Sequence, residues 1–304
     1  MSLNVATVVR PMWRDSLICG DLAAGAPKCL CFERAGIKGV YHRFGYLMEY
    51  MNFFLKRAVE AARARGLNVK DFDGYCRRED LKADLDSRNP IFILHGAHGG
   101  RNVVTSDDAP GLAGSMLYLL CSPPRPGLDY QVVCPSPNHS WLRGRVMYTL
   151  SCLSASVLGE EAVRAGALAY LGWRDLLWVM VVRSELPDIA SWDEACWDAC
   201  LAGVMKLLDG GTVREAKEET YKRFSYWIDY YNAHRDPYGI WLIAQWVLLT
   251  DRDGFVQLGN PDARVASPTH PLWFALQLAG AVAPIAAVLG VVGGEELRKA
   301  GVKI

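Results

Sequence analysis

The chain has no net charge: 33 Lys and Arg balance 33 Asp and Glu over 304 residues. No global field therefore draws it to polyanions, and nucleic acid is not expected as a partner. Internal repeats and low-complexity stretches are also missing, which excludes solenoids and arrays. The opening residues, MSLNVATVVRPMWRD, hold no unbroken apolar run of the kind a secretory signal needs, so the chain is expected to start in the cytosol. Paired zinc-ligand spacing is absent. Neither Cys29-Leu-Cys31 nor Cys196 with Cys200 is followed by a second Cys/His pair, and no metal or cofactor is expected. Nine cysteines, an odd number, in a chain long enough to bury its own core argue for reduced thiols, with Cys134 a loop thiol.

What is present reads as an α/β domain. Residues 46–66 carry apolar side chains at helical spacing and close on a glycine. Segments 77–85, 159–165, 192–208 and 212–231 are expected as further helices, the last with Thr212 and Glu215 spaced as a capping box. A short stretch at 68–72 and runs at 90–94, 146–150, 167–171, 178–182 and 255–258 are expected as strands. This alternation predicts a mostly parallel sheet with helices on both faces over residues 1–266. Residues 99–145, rich in Gly, Pro, Ser and Asp, read as long loops around one short helix near 112–120. From 271 to 294 no charged residue interrupts PLWFALQLAGAVAPIAAVLGVVGG, a length suited to crossing a bilayer, and Arg298, Lys299 and Lys303 follow. Residues 267–304 are expected to form a C-terminal hydrophobic helix with a short basic tail, either a transmembrane anchor or a helix covered by protein.

Two strand ends carry the chemistry. IFILHGAHGGRN delivers His95 and His98 to the carboxyl end of a buried strand, where open α/β sheets bind ligands. A glycine after a histidine lets the backbone approach a substrate and offer an N–H to a developing oxyanion. Taken alone, a strand-end histidine is more often a satisfied structural group. VMYTLSCLSASVLGEE brings Ser151 and Cys152 to a second strand end ahead of a helix. A thiol is nucleophilic there only as thiolate, and a nearby imidazole would help form it. A lone cysteine after a strand is more commonly a small core residue.

Together, PIFILHGAHGG and VMYTLSCLSASVLGEEAVRAGALAYLGW resemble the paired motifs of caspase-like cysteine peptidases, in which one apolar strand ends in His-Gly and the next in Ser-Cys or Ala-Cys. The likeness is nearest to the gingipain-like branch, uncharacterised archaeal members included. It extends through LDGGTVREAKEETYKRFSYWIDYYN to FVQLGNPDARV, spanning about residues 46 to 265, with Asn260 where aspartate is usual. The first forty residues are not covered. The resemblance implies a cysteine endopeptidase acting on a protein or peptide substrate. Cys152 would be the nucleophile and His98 the general base, with His95 the alternative base. The backbone N–H groups of Gly99 and Cys152 would form the oxyanion hole. Asp107, Asp108, His95 and Ser151 are candidate substrate-binding residues, the two aspartates suited to a basic P1 side chain. A catalytically silent binding or scaffold protein of the same fold, and a hydrolase of other amides or thioesters, remain as alternatives. The catalytic domain is expected to be cytoplasmic, and membrane-associated if residues 271–294 span a bilayer.

Overall fold

The computed structural model describes residues 5–9, 44–72, 76–105, 118–178, 192–235 and 239–266. In chain order the elements are β1 (Val5–Val9), α1 (Phe44–Ala64), β2 (Asn68–Phe72), α2 (Arg78–Arg88), β3 (Phe92–Gly96), β4 (Gly99–Gly100), β5 (Val103–Thr105), β6 (Tyr118–Cys121), β7 (Val146–Leu150), α3 (Leu158–Arg164), β8 (Ala169–Trp173), α4 (Trp192–Leu208), α5 (Val213–Ala233), α6 (Ile240–Gly254) and β9 (Phe255–Gly259). The chain divides into two compact units, Met1–Ser267 and Pro268–Ile304, and every described residue belongs to the first. The expected C-terminal helix and its membrane role therefore lie outside the described residues. Among the described residues, no helix is long and apolar enough to cross a membrane.

The main sheet has six strands in the order β2-β1-β3-β7-β8-β9. All neighbours are parallel except β8 and β9. Strands buried on both faces read as near-continuous apolar runs, and β3, β7 and β8 are buried from end to end, with His95 and Thr149 the buried polar members of β3 and β7. Successive strand side chains point to opposite faces, and here they feed two separate cores. Leu94, Tyr148, Leu150, Leu171 and Trp173 pack with α1, α4, α5 and α6. Ile93, Met147 and Tyr170 pack with α2 and α3 on the other side. Rings of Tyr148, Trp173 and Phe255 meet at centroid distances of 5.5 and 4.8 Å to tie β7, β8 and β9 together; such pairs add about 1 kcal/mol each beyond their buried area.

The capping box forms as its spacing requires: Glu215 N–H donates to Thr212 Oγ1 at 3.2 Å, and Thr212 N–H to Glu215 Oε2 at 2.7 Å. Gly203 lets α4 cross α5 closely, since a Cβ there would lie 2.4 Å from Thr220 Oγ1. Asn260 closes its turn through its Oδ1, which accepts from Asp262 N–H at 2.9 Å.

Several local expectations are corrected. Tyr118–Cys121 is a strand, not the end of a helix near 112–120; it closes a three-stranded antiparallel sheet with β4 and β5, and the rest of that segment lies outside the described residues. A run as short as YLLC does not distinguish helix from strand by periodicity, and pairing with β5 decides it. Trp178 belongs to no strand, and 179–182 is not described. Val5–Val9 sits inside the sheet between β2 and β3 although no strand was expected there, and Ile240–Gly254 is a helix that was not among those expected. Cys121 and Cys134 are joined in a disulfide with a Cα–Cα distance of 6.1 Å, against the expectation of reduced thiols. The loop after β6 folds back on the strand and brings two cysteines 13 residues apart within bonding reach.

Candidate active site

Parallel pairing of β3 with β7 sets His95 opposite Thr149 and Gly96 opposite Leu150, so the turns that follow leave the same sheet edge side by side. Gly99, in the first turn, lies directly on the second: a Cβ built there would be 2.6 Å from the Cys152 carbonyl oxygen, 2.8 Å from Ser151 Cβ and 3.4 Å from Cys152 N. Only glycine permits that approach. His98 is thus one residue from the point where the two turns touch. Its carbonyl accepts from Thr105 N–H at 3.0 Å and from Thr105 Oγ1 at 3.2 Å, which anchors it to the small antiparallel sheet.

Further bonds lock the turns together. Ser151 Oγ donates to the Ala97 carbonyl at 2.8 Å, and the Arg101 carbonyl accepts from Val157 N–H and Leu158 N–H at 3.0 and 2.8 Å, capping α3. Asn102 is wholly buried; its Nδ2 donates to the Ser122 and Val132 carbonyls and its Oδ1 accepts from Val132 N–H, all at 2.9 Å. The Cys121–Cys134 disulfide closes the same loop. That loop reaches the site through the Tyr130 carbonyl, which accepts from Arg101 N–H at 3.1 Å.

The two histidines occupy different environments. His95 is 0% exposed. Its Nε2 lies 2.7 Å from the Thr105 carbonyl, which can only accept, so that nitrogen carries the proton; Nδ1 faces the Thr149 and Ser151 hydroxyls at 3.0 and 3.2 Å. Burial lowers its pKa to about 4. His95 and Ser151, expected as substrate-binding groups, are both enclosed and bonded to protein, and they act instead as an internal latch between the turns. His98 is half-buried, and dehydration holds its imidazole below the usual range, hence neutral at pH 7.

Of the six described cysteines, two form the disulfide and Cys76, Cys196 and Cys200 are buried; Cys152 alone is both free of a disulfide and only partly buried. Burial raises its thiol pKa, partly offset by the Leu177 carbonyl, whose oxygen lies 3.8 Å from its Sγ. Leu153, the next residue, is held at φ +59°, uncommon for a residue other than glycine, and its N–H donates to the Asp175 carbonyl at 2.8 Å. Such backbone strain is worth about 1–3 kcal/mol and concentrates at functional sites.

Asp107 and Asp108 lie outside the described residues. Sequence reasoning missed Thr149, Thr105, Asn102 and Asp251, for which register and burial are the only signals. A separate groove between α1, α4 and α5, walled by Phe54, Trp197 and Trp227, shares no residue with this site. Among the described residues, no cluster of His, Cys, Asp and Glu is arranged to hold a metal ion. No protein-family model matches the chain, and no curated protein matches it.

Proposed function

We propose that this chain is a cysteine endopeptidase of caspase-like type, with Cys152 as nucleophile and His98 as general base. The observation that carries the reading is the contact of Gly99 with the Cys152 backbone, which joins the His-Gly turn of β3 to the Ser-Cys turn of β7 at one sheet edge. The strained Leu153 and a free cysteine that is only partly buried support it.

Dehydration favours the neutral thiol and the neutral imidazole over a thiolate–imidazolium pair. The thiol proton therefore passes to His98 as sulfur attacks the peptide carbonyl. The tetrahedral oxyanion is met by the N–H groups of Gly99 and Cys152. Collapse breaks the C–N bond, the amine leaves with the proton from His98, and a thioester remains. Water activated by His98 then releases the carboxylic acid and restores the thiol. Asp107 and Asp108 remain the proposed partners of a basic P1 residue, and a membrane tether through 271–294 remains part of the proposal.

A second reading, a catalytically silent binding or scaffold protein, is favoured by the contact of the Cys152 sulfur with the Leu177 carbonyl and by the raised thiol pKa. Cleavage of a peptide library separates the two. The peptidase reading expects turnover that falls to background in Cys152→Ser and about 10²–10⁴-fold in His98→Ala. Turnover that persists in Cys152→Ser, or a folded wild-type chain that cleaves nothing and binds no acyloxymethyl ketone at Cys152, sinks it.

A further inference from the structure

Cys152 is faced by a stretch of chain that no sequence motif marks. Residues 173–178 run beside the Cys152 turn and meet it at alternate positions: the Trp173 carbonyl accepts from Ala155 N–H at 3.0 Å, the Asp175 carbonyl from Leu153 N–H at 2.8 Å, and the Leu177 carbonyl lies 3.8 Å from Cys152 Sγ. Both ends of this stretch are held by one residue from the last turn of α6. The Asp251 backbone carbonyl accepts from Trp173 Nε1 at 2.8 Å, and its side-chain Oδ1 accepts from Trp178 N–H at 2.8 Å. On the far side of the carboxyl, Cys196 Sγ lies 3.8 Å from Asp251 Oδ2 and 3.7 Å from the Trp178 carbonyl.

Asp251 is 0% exposed, and no cationic side chain pairs with it among the described residues. Burying a carboxyl without a counter-charge is costly. Burial and then the Cys196 thiol push its pKa well above the usual carboxylate range, so it sits as a neutral acid whose Oδ1 serves as a carbonyl-like acceptor. An apolar residue of similar size would avoid the cost of burial but would leave the Trp178 N–H unmet.

We propose that Asp251 is a positioning residue for Cys152: it pins both ends of residues 173–178, so that the Leu177 carbonyl stands beside the sulfur and walls off one side of it. The role rests on the reading of Cys152 as the working nucleophile, but its test does not require turnover.

The full chain is treated with iodoacetamide, and alkylation of Cys152 and of Cys76 is followed by peptide mapping in the same samples. Cys76, buried in the core on the opposite face of the sheet, reports global loosening. Asp251→Ala is expected to raise the Cys152 rate about tenfold with Cys76 unchanged, because release of the wall exposes the sulfur locally. Asp251→Asn retains the acceptor for Trp178 N–H and is expected to stay within about twofold of wild type. An unchanged Cys152 rate in folded Asp251→Ala overturns the proposal, as does a parallel rise at Cys76. If Asp251→Ala fails to fold, Cys196→Ala loosens only the Trp178 carbonyl side; a selective rise of a few-fold at Cys152 is expected, and no change there overturns the proposal. Peptide cleavage that is absent in every variant, with selective alkylation as expected, removes the peptidase reading and leaves the positioning role standing.

Discussion

The buried His95 latch makes a quantitative claim about acid stability. Its folded pKa of about 4, against 6.5 for the free side chain, means the unfolded chain binds a proton between those values that the folded chain excludes. Because the folded pKa is depressed, this contribution is fully present above about pH 6.5 and is lost as pH falls towards 4. At 1.36 kcal/mol per unit the full effect is about 3 kcal/mol, of which about 2 kcal/mol is lost between pH 7.5 and pH 5. Other groups also titrate over this range, so the measurement is a difference. Urea unfolding of wild type and His95→Gln is compared at both pH values. Glutamine keeps a donor for the Thr105 carbonyl but takes up no proton there. The variant is expected to be less stable at pH 7.5 and to lose about 2 kcal/mol less than wild type on acidification. Equal losses in the two proteins would refute the enclosed neutral imidazole and, with it, the latch between the His98 and Cys152 turns.

Three further outcomes test the site and its frame. Gly99→Ala places a methyl 2.6 Å from the Cys152 carbonyl and forces the two turns apart; a loss of about 1–3 kcal/mol in chemical denaturation is expected, and cleavage, if present, falls by about 10²-fold. The rate of Cys152 alkylation should climb through the alkaline range above the ordinary thiol pKa with no plateau below pH 7, since burial raises the thiol and lowers His98; a plateau near pH 6 would mean a preformed ion pair. Cys134→Ser opens the loop clamped over Arg101 and should lower stability by about 3 kcal/mol, the entropy of a loop of this length, while intact-mass measurement before and after reduction reports whether the bond is present in the purified protein.

Much of the architecture was readable along the chain. Residues 46–66 form a helix because their apolar spacing repeats every three to four positions, and Thr212 with Glu215 starts its helix at the expected residue because a cap involves neighbours in sequence. The apolar runs ending at Leu94 and Leu150 put His98 and Cys152 just beyond strand ends by the same local logic. Wherever partners lie far apart in the chain, the pattern was silent or misleading. VATVV joins the middle of the sheet only through its hydrogen bonds to β2 and β3, more than sixty positions away. YLLC took its strand form from β5, and the disulfide arose from the fold of a loop.

The amino-acid order by itself determined α1 to α5, the strand-forming runs that end at Leu94 and Leu150 and the residue types offered at the site, because spacing and capping act within a few residues. Tertiary structure decided which histidine is enclosed and which is half-buried, which free cysteine stays only partly buried, and that the Asp251 side chain accepts from the Trp178 N–H seventy-three positions earlier in the chain. Burial and hydrogen-bond partnership depend on strand register and helix packing, and those are properties of the assembled core.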